Sequence, residues 1–287
     1  MTVCIAALGG DGAFVVVVSD RMVTANPPPI EFEHNAPKIT KISARCVVLT
    51  SGDALAHVEL CNEAINTTAA SRVLSTRRIA QEIQKAYVSQ REEKIEAEYL
   101  RPRGWTIKSF YDEHARALPG EITFAVDRQI ATYEHELSVI VAGVDEQGQG
   151  HVYGISNPGV LECWDGMGAY AIGIGASYAI TTFFLNNWRP NMALGELIFM
   201  AYEAKRRAEV APGVGKATDM AYITQEGMTH LGAEHFEGLD KAFLARYSPS
   251  SDKSDKIVAE MFPLGGDKNG ERGQNSAGSP EGARSGI

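Results

Sequence analysis

A basic excess is missing from this chain. It carries 27 Lys and Arg against 36 Asp and Glu, a formal charge of −9 over 287 residues. That leaves no electrostatic reason to expect nucleic acid or an anionic membrane surface as a partner. Cysteine is scarce. Cys4, Cys46, Cys61 and Cys163 show no C-x-x-C spacing, and three of them sit among apolar residues. Buried free thiols in a reducing cytosol are therefore expected, not a disulfide framework. No basic segment precedes an apolar one at the start, so no signal peptide is expected and the predicted location is cytoplasmic. Long hydrophobic runs are lacking too. The longest uncharged stretch, Gly166 to Trp188, holds four glycines and reads as strand plus helix, not as a membrane span. No repeat of solenoid length is visible.

What is present begins at once. Thr2 to Leu8 and Ala13 to Asp20 are two short, strongly apolar segments joined by Gly9-Gly-Asp-Gly12. This is a β-hairpin pattern. It commits to a buried strand a region that in most chains frays. Thr2 also becomes the N-terminus if Met1 is removed, which a small second residue permits. It would then carry a hydroxyl nucleophile and a free α-amine on one residue. With a reference value of about 7.7–8.0, that amine can take the hydroxyl proton near neutral pH.

The rest of the chain alternates strand groups and helix groups. Asn26-Pro27-Pro28-Pro29 is an extended loop that cannot be helix or central strand. Arg45 to Ser51 is a strand, ending at Gly52-Asp53 and turning into a helix from about Ala54, with Leu55, Val58, Cys61 and Ile65 as its apolar stripe. A second helix from about Arg77 lines up Ile79, Ile83 and Tyr87. Arg91 to Arg103 is highly charged without a deep apolar face and reads as a solvated helix. Two further helical pieces, Trp105 to Leu118 and Glu121 to Glu136, are split at Pro119-Gly120. Strands are predicted at Ser138 to Val144, His151 to Ile155, Val160 to Trp164 and Ala169 to Ile172. Helices follow at about Ser177 to Trp188 and Met192 to Glu209, then a closing hairpin of Asp219 to Thr224 and Met228 to Leu231. A last helix is expected from about Leu239 to Tyr247. From 248 to 287 Ser, Gly, Asp, Lys and Asn dominate around one apolar island at Ile257 to Leu264, and a mostly disordered tail is expected. The predicted class is α+β: a four-layer αββα sandwich of two antiparallel sheets with helices outside.

Several segments then fall into a known order. The Thr-initiated strand, "VVSDRMVT", "APKITKI", "VVLTSGDALA", "VIVAGVDEQGQGHVYGISNPG", "YAIGIGASYA" and "TDMAYITQEGM" span about 2–90 and 138–232. In this order and spacing the chain resembles the N-terminal-nucleophile (Ntn) hydrolases of the proteasome β-subunit type, including bacterial HslV and Anbu. The resemblance implies the domain 1–247, with about 91–136 an enlarged helical insertion that could cap the site or add a subunit contact. It implies Thr2 as nucleophile, Asp20 as the acid closing the second strand, and Lys38 as the lysine beside the nucleophile. Gly52, fourteen residues beyond Lys38, would offer its backbone N–H to the oxyanion. Lys38 would favour the alkoxide, Asp20 would make the buried cation tolerable, and the Gly52 donor would be worth about 3–4 kcal/mol. Taken singly, Asp20 also fits a strand-end turn, Lys38 a solvated loop and Gly52 a tight turn. The implied activity is a threonine-type peptidase or amidohydrolase. The implied partner is the chain itself, in a ring or open helical oligomer, with an ATPase partner left open and no cofactor or metal called for.

Two departures stand against full activity. Where the family often has Gly-Ser-Gly, this chain has Gly173-Ile174-Gly175, with Ser177 the nearest hydroxyl. The loop from Val210 to Lys216 supplies neither Asp nor Ser, and Glu209 is expected to end the preceding helix. A catalytically silent structural subunit, or a small-molecule amidase on the same scaffold, therefore stays open. Gly213-Val-Gly-Lys216 lacks the first glycine and the hydroxyl of a phosphate loop, since Val210 and Ala217 stand there. Gly173-x-Gly175 lacks the third glycine of a dinucleotide site. His230, Glu234 and His235 have no convincing metal spacing.

Overall fold

The computed structural model describes residues 2–25, 30–34, 37–69 and 75–247. Met1, the predicted loop at Asn26–Pro29, residues 35–36 and 70–74, the side chain of Leu55 and the predicted tail 248–287 lie outside what is described. The chain divides into two compact units, 1–239 and 240–287.

Strands β1 (Cys4–Gly9) and β2 (Phe14–Asp20) form the expected opening hairpin around a 3-10 turn at Gly10–Gly12. Then come β3 (Met22–Ala25), β4 (Ile30–Glu33), β5 (Ile39–Ser43) and β6 (Cys46–Gly52). Helices α1 (Ala54–Ala69) and α2 (Thr76–Ile95) follow. The insertion continues through a π turn (Glu96–Leu100), a 3-10 turn (Arg101–Arg103), α3 (Ile107–Ser109), a second π turn (Phe110–His114), α4 (Ala115–Ala117) and α5 (Gly120–Ala131). The second half holds β7 (Leu137–Val144), β8 (Gly150–Ser156), β9 (Val160–Cys163), β10 (Ala169–Ile172), α6 (Ala176–Leu185), α7 (Leu194–Ala208), β11 (Thr218–Thr224), β12 (Gly227–His230) and α8 (Ala233–Tyr247).

Two five-stranded antiparallel sheets result, ordered β10-β1-β2-β11-β12 and β5-β6-β7-β8-β9, with β3-β4 as a separate ribbon. Side chains alternate faces along a strand. Thus Cys4, Ala6 and Leu8 with Val15 and Val17 meet Val47, Leu49, Ile140 and Ala142 of the other sheet in one buried cluster. The opposite face of that second sheet, through Val48, Val139 and Val141, packs on Leu60, Ala64, Ile79, Ile83 and Tyr87 of α1 and α2. On the first sheet, α7 packs against β1 and β2, and α6 against β10 and β1. Strands covered on both faces read as unbroken apolar runs, which is why β1 and β2 look so hydrophobic. All four cysteines are free, and only Cys163 is exposed.

Four expectations need correction. The buried side of α1 is Ala56, Leu60, Cys61 and Ala64, while Val58 and Ile65 are exposed at 53% and 37%. The buried face, which includes the large Leu60 as well as Ala56 and Ala64, is thus turned by about one residue from the predicted stripe. The 91–103 segment is anchored, not merely solvated. Its Ile95 and Leu100 are fully buried with Phe110, Val126 and Ile130, a small core that belongs to the insertion. The residues flanking the predicted Asn26–Pro29 loop are not plain extended chain: Met22–Ala25 pairs with Ile30–Glu33 as the β3-β4 ribbon. Finally, α5 stops at Ala131 and not at Glu136, and α8 starts at Ala233, six residues before Leu239.

Candidate active site

The opening hairpin delivers Thr2 to the edge of a cavity of about 350 Å³. Lys38, Thr50, Ser51, Gly52 and Asp53 line it on one side, and Met22, Val23, Phe32, Pro37 and Val58 make much of it apolar. Thr2 stands just ahead of β1 and is 1% exposed. Its carbonyl accepts from Gly175 N–H at 3.2 Å. Gly173, at φ +92°, passes so close that an added Cβ would lie 2.8 Å from the Thr2 carbonyl carbon. The Gly173-Ile174-Gly175 turn thus seats Thr2 through main-chain contacts.

Asp20 ends β2 and is fully buried. A buried carboxylate is tolerable only when its lone pairs are filled, and here they are. Oδ1 accepts from the Thr2 hydroxyl, from Val3 N–H at 3.0 Å and from Lys38 Nζ at 2.8 Å. Oδ2 accepts from Met22 N–H at 3.0 Å and Gly215 N–H at 2.8 Å. Lys38 stands one residue before β5 with its side chain 15% exposed, and its ammonium also donates to Thr2 Oγ1. The Thr2 hydroxyl therefore lies between a carboxylate that accepts its hydrogen bond and a cation that would stabilise it as an alkoxide. Beneath it, the Cys4 thiol is pushed up to about 12 by burial, with Lys38 opposing, and is inert as a nucleophile.

Gly52 closes β6 at φ +119°, where an added Cβ would lie 2.8 Å from the Glu136 carbonyl carbon. Only glycine fits this left-handed approach to β7. The next residue, Asp53, pairs with Lys94 near the end of α2 at 2.7 Å. Asp53 also borders a second cavity, of about 400 Å³, with Glu98, Tyr133, Glu134 and Glu136. The insertion thus reaches the rim of the site through Lys94. Ser177 does not join the cluster: it is exposed in the first turn of α6 and does not line the cavity. Ile174 is 48% exposed. Glu209 caps the C-terminus of α7 as expected, and accepts from Lys205 Nζ at 2.7 Å.

Sequence reasoning missed four contributors. His57 lines the cavity, hydrogen-bonds Thr50 Oγ1 through Nδ1, and is pushed below the ordinary histidine range by burial. Gly215 was weighed only as part of a phosphate loop, yet its N–H serves Asp20. Gly173 and Gly175 were weighed for a dinucleotide, yet they clasp Thr2. Two glycines just before a strand that pairs with β2 were the available signal for Gly215. Among the described residues, no group of three or more His, Cys, Asp or Glu could hold a metal ion. Among the described residues, no helix is long and apolar enough to cross a membrane.

Compared with known proteins, the chain matches a family model described as Proteasome subunit over residues 123–210. The matched segment runs from within α5 through β7 to β10 and past the end of α7. It supports a proteasome-like family. Thr2, Asp20, Lys38 and Gly52 lie outside it. No curated protein matches the chain.

Proposed function

We propose that this chain is a threonine-type N-terminal-nucleophile amidohydrolase related to proteasome β-subunits and acting on peptides. The observation that carries the reading is the Thr2 hydroxyl held between Asp20 Oδ1 and Lys38 Nζ at the mouth of an apolar cavity. With Met1 removed, the Thr2 amine takes the hydroxyl proton as Oγ1 attacks the scissile carbonyl. Lys38 stabilises the alkoxide and Asp20 holds Lys38. The Gly52 N–H receives the oxyanion, a donor worth about 3 kcal/mol in such sites. The amine then returns the proton to the leaving nitrogen, and water releases the acyl group from Thr2. Met22, Val23, Phe32 and Val58 suit an apolar side chain next to the scissile bond. The sheets and helices are read as a four-layer αββα scaffold, and the assembled form as a ring or open helical oligomer in the cytoplasm.

The test is intact-mass analysis followed by a β-lactone or epoxyketone probe. The expected result is loss of Met1 and one adduct on Thr2, both adduct and peptide turnover vanishing in Thr2→Ala. Retention of Met1, or labelling that survives Thr2→Ala, overturns the reading.

One observation favours a second reading, a silent subunit of a proteasome-like assembly. Ile174 puts no hydroxyl beside Thr2, and the 210–216 loop carries no acid. A large stable particle on light scattering that takes no probe would select it.

A further inference from the structure

Lys205 carries an ammonium group with no exposed surface, among the buried residues of the last turn of α7. A cation is placed there only at a large desolvation cost, which hydrogen bonds must offset. Burial pulls its pKa down, against the opposing pull of Glu209 and, farther off, Asp20. Its Nζ makes two short bonds, to Glu209 Oε1 at 2.7 Å and to the main-chain carbonyl of Lys216 at 2.6 Å. The first is a bond within its own helix end. The second reaches across to the loop that follows.

That peptide segment is held from the other side as well. Glu33 Oε1, on the β3-β4 ribbon, accepts from Lys216 N–H at 2.6 Å and Ala217 N–H at 2.8 Å. Between the two holds the preceding residue, Gly215, is pressed against Met22. An added Cβ at 215 would lie 3.0 Å from Met22 N and 3.0 Å from Glu33 Oε1. In that position the Gly215 N–H reaches Asp20 Oδ2 at 2.8 Å. Asp20 Oδ1 in turn holds both Thr2 and Lys38. An unbroken line of hydrogen bonds and one peptide link thus joins a buried ammonium on α7 to the Thr2 hydroxyl.

We infer that Lys205 is a positioning residue for the Thr2–Asp20–Lys38 cluster, setting the Lys216 carbonyl so that Gly215 N–H completes Asp20. The inference rests on the proposed role of Thr2. It gives the 210–216 loop, which lacks an acid and a hydroxyl, a main-chain way of supporting the nucleophile. Lys205 touches neither substrate nor the reacting atoms. Its effect is on the orientation of Asp20, so it acts on the rate of attack and not on substrate affinity.

The test compares wild type, Lys205→Met and Lys205→Gln, the last keeping a donor for the Lys216 carbonyl. Two quantities are read: the Gly215 amide exchange rate, and the rate and half-saturating concentration for β-lactone labelling of Thr2. In Lys205→Met, Gly215 exchange is expected to rise about tenfold, while the amides of β1 and β2 stay protected. Maximal labelling is expected to slow about 10²-fold at an unchanged half-saturating concentration, because misplacement and not binding is at fault. Lys205→Gln is expected to recover most of both. Should Lys205→Met lose its cooperative melt, Glu33→Ala frees the same peptide from its exposed side and is expected to show the same pair of changes. A wild type that takes no probe overturns the enzymatic reading and this role with it. A labelled wild type beside a folded Lys205→Met of equal labelling rate, or with Gly215 still protected, overturns this inference alone.

Discussion

Gly173 and Thr2 stand in direct backbone contact, so close that a Cβ at 173 would meet the Thr2 carbonyl carbon at 2.8 Å. The φ of +92° at Gly173 independently disfavours any other residue. Gly173→Ala is therefore expected to destabilise the fold by about 1–3 kcal/mol. It should also move Thr2 off Asp20. Urea unfolding reads the first effect and probe labelling the second. A variant of wild-type stability and labelling would show that the turn does not seat Thr2.

Lys38 and Asp20 form a pair that burial makes hard to split. Lys38→Met leaves the fully buried Asp20 with its main-chain donors Val3, Met22 and Gly215 but without its cation, so it is expected to lower stability while still folding, and to slow Thr2 labelling by about 10²–10³-fold, the size typical for a lost electrostatic partner of the reacting oxygen. Asp20→Asn is expected to be worse for stability. It strands a largely buried ammonium and costs about 3–5 kcal/mol. Thermal melts of the two variants side by side check the order.

The apolar lining of the cavity predicts selectivity. Fluorogenic peptides with a Leu-like side chain next to the scissile bond should be cut at least about tenfold more efficiently than those with Asp there. Val58, 53% exposed at the rim, is the place to change this. Val58→Lys is expected to shift preference towards the acidic peptide, read as the ratio of kcat/KM values. An unchanged ratio would remove Val58 from the substrate path.

His135 predicts a pH signature of stability. It is 3% exposed, packs edge-on against Tyr87 at 4.8 Å, and burial pulls its pKa down to about 4, with the Lys94 charge adding to the effect. The folded state therefore favours the neutral ring, and the unfolded chain binds the proton more readily. Its contribution is full above the ordinary histidine value of about 6.5 and is lost as pH falls from there towards 4. His135→Phe keeps the ring contact and removes the titration. Its melting temperature should fall less steeply than wild type over that window. Parallel curves would refute the assignment.

The strand pattern was legible because a sheet buried on both faces writes itself as continuous apolar residues, as in Val15 to Val18. Ile79, Ile83 and Tyr87 were legible by helical spacing. The stripe on α1 was misread because Ala carries little weight in an apolar pattern. The sheet took the face of Ala56, Leu60, Cys61 and Ala64 and left Val58 to the cavity. Ile95 and Leu100 were hidden among charges, where two anchors in a charged segment give no periodic signal. Thr2, Asp20, Lys38 and Gly52 could be named from type and order. The structure brings Thr2, Asp20 and Lys38 together and sets Gly52 on the wall of the same cavity, while Ser177 stays outside.

The sequence alone determined which atoms are available: a hydroxyl on the second residue, a carboxylate at a strand end, an ammonium fourteen residues before a glycine. Those are properties of residue type and local order. Tertiary structure decided the support, namely Gly173 and Gly175 around the Thr2 carbonyl, Gly215 on Asp20, and Lys205 behind Lys216. Main-chain donors are carried by nearly every residue, so no side-chain pattern marks which of them a fold will turn towards a buried charge.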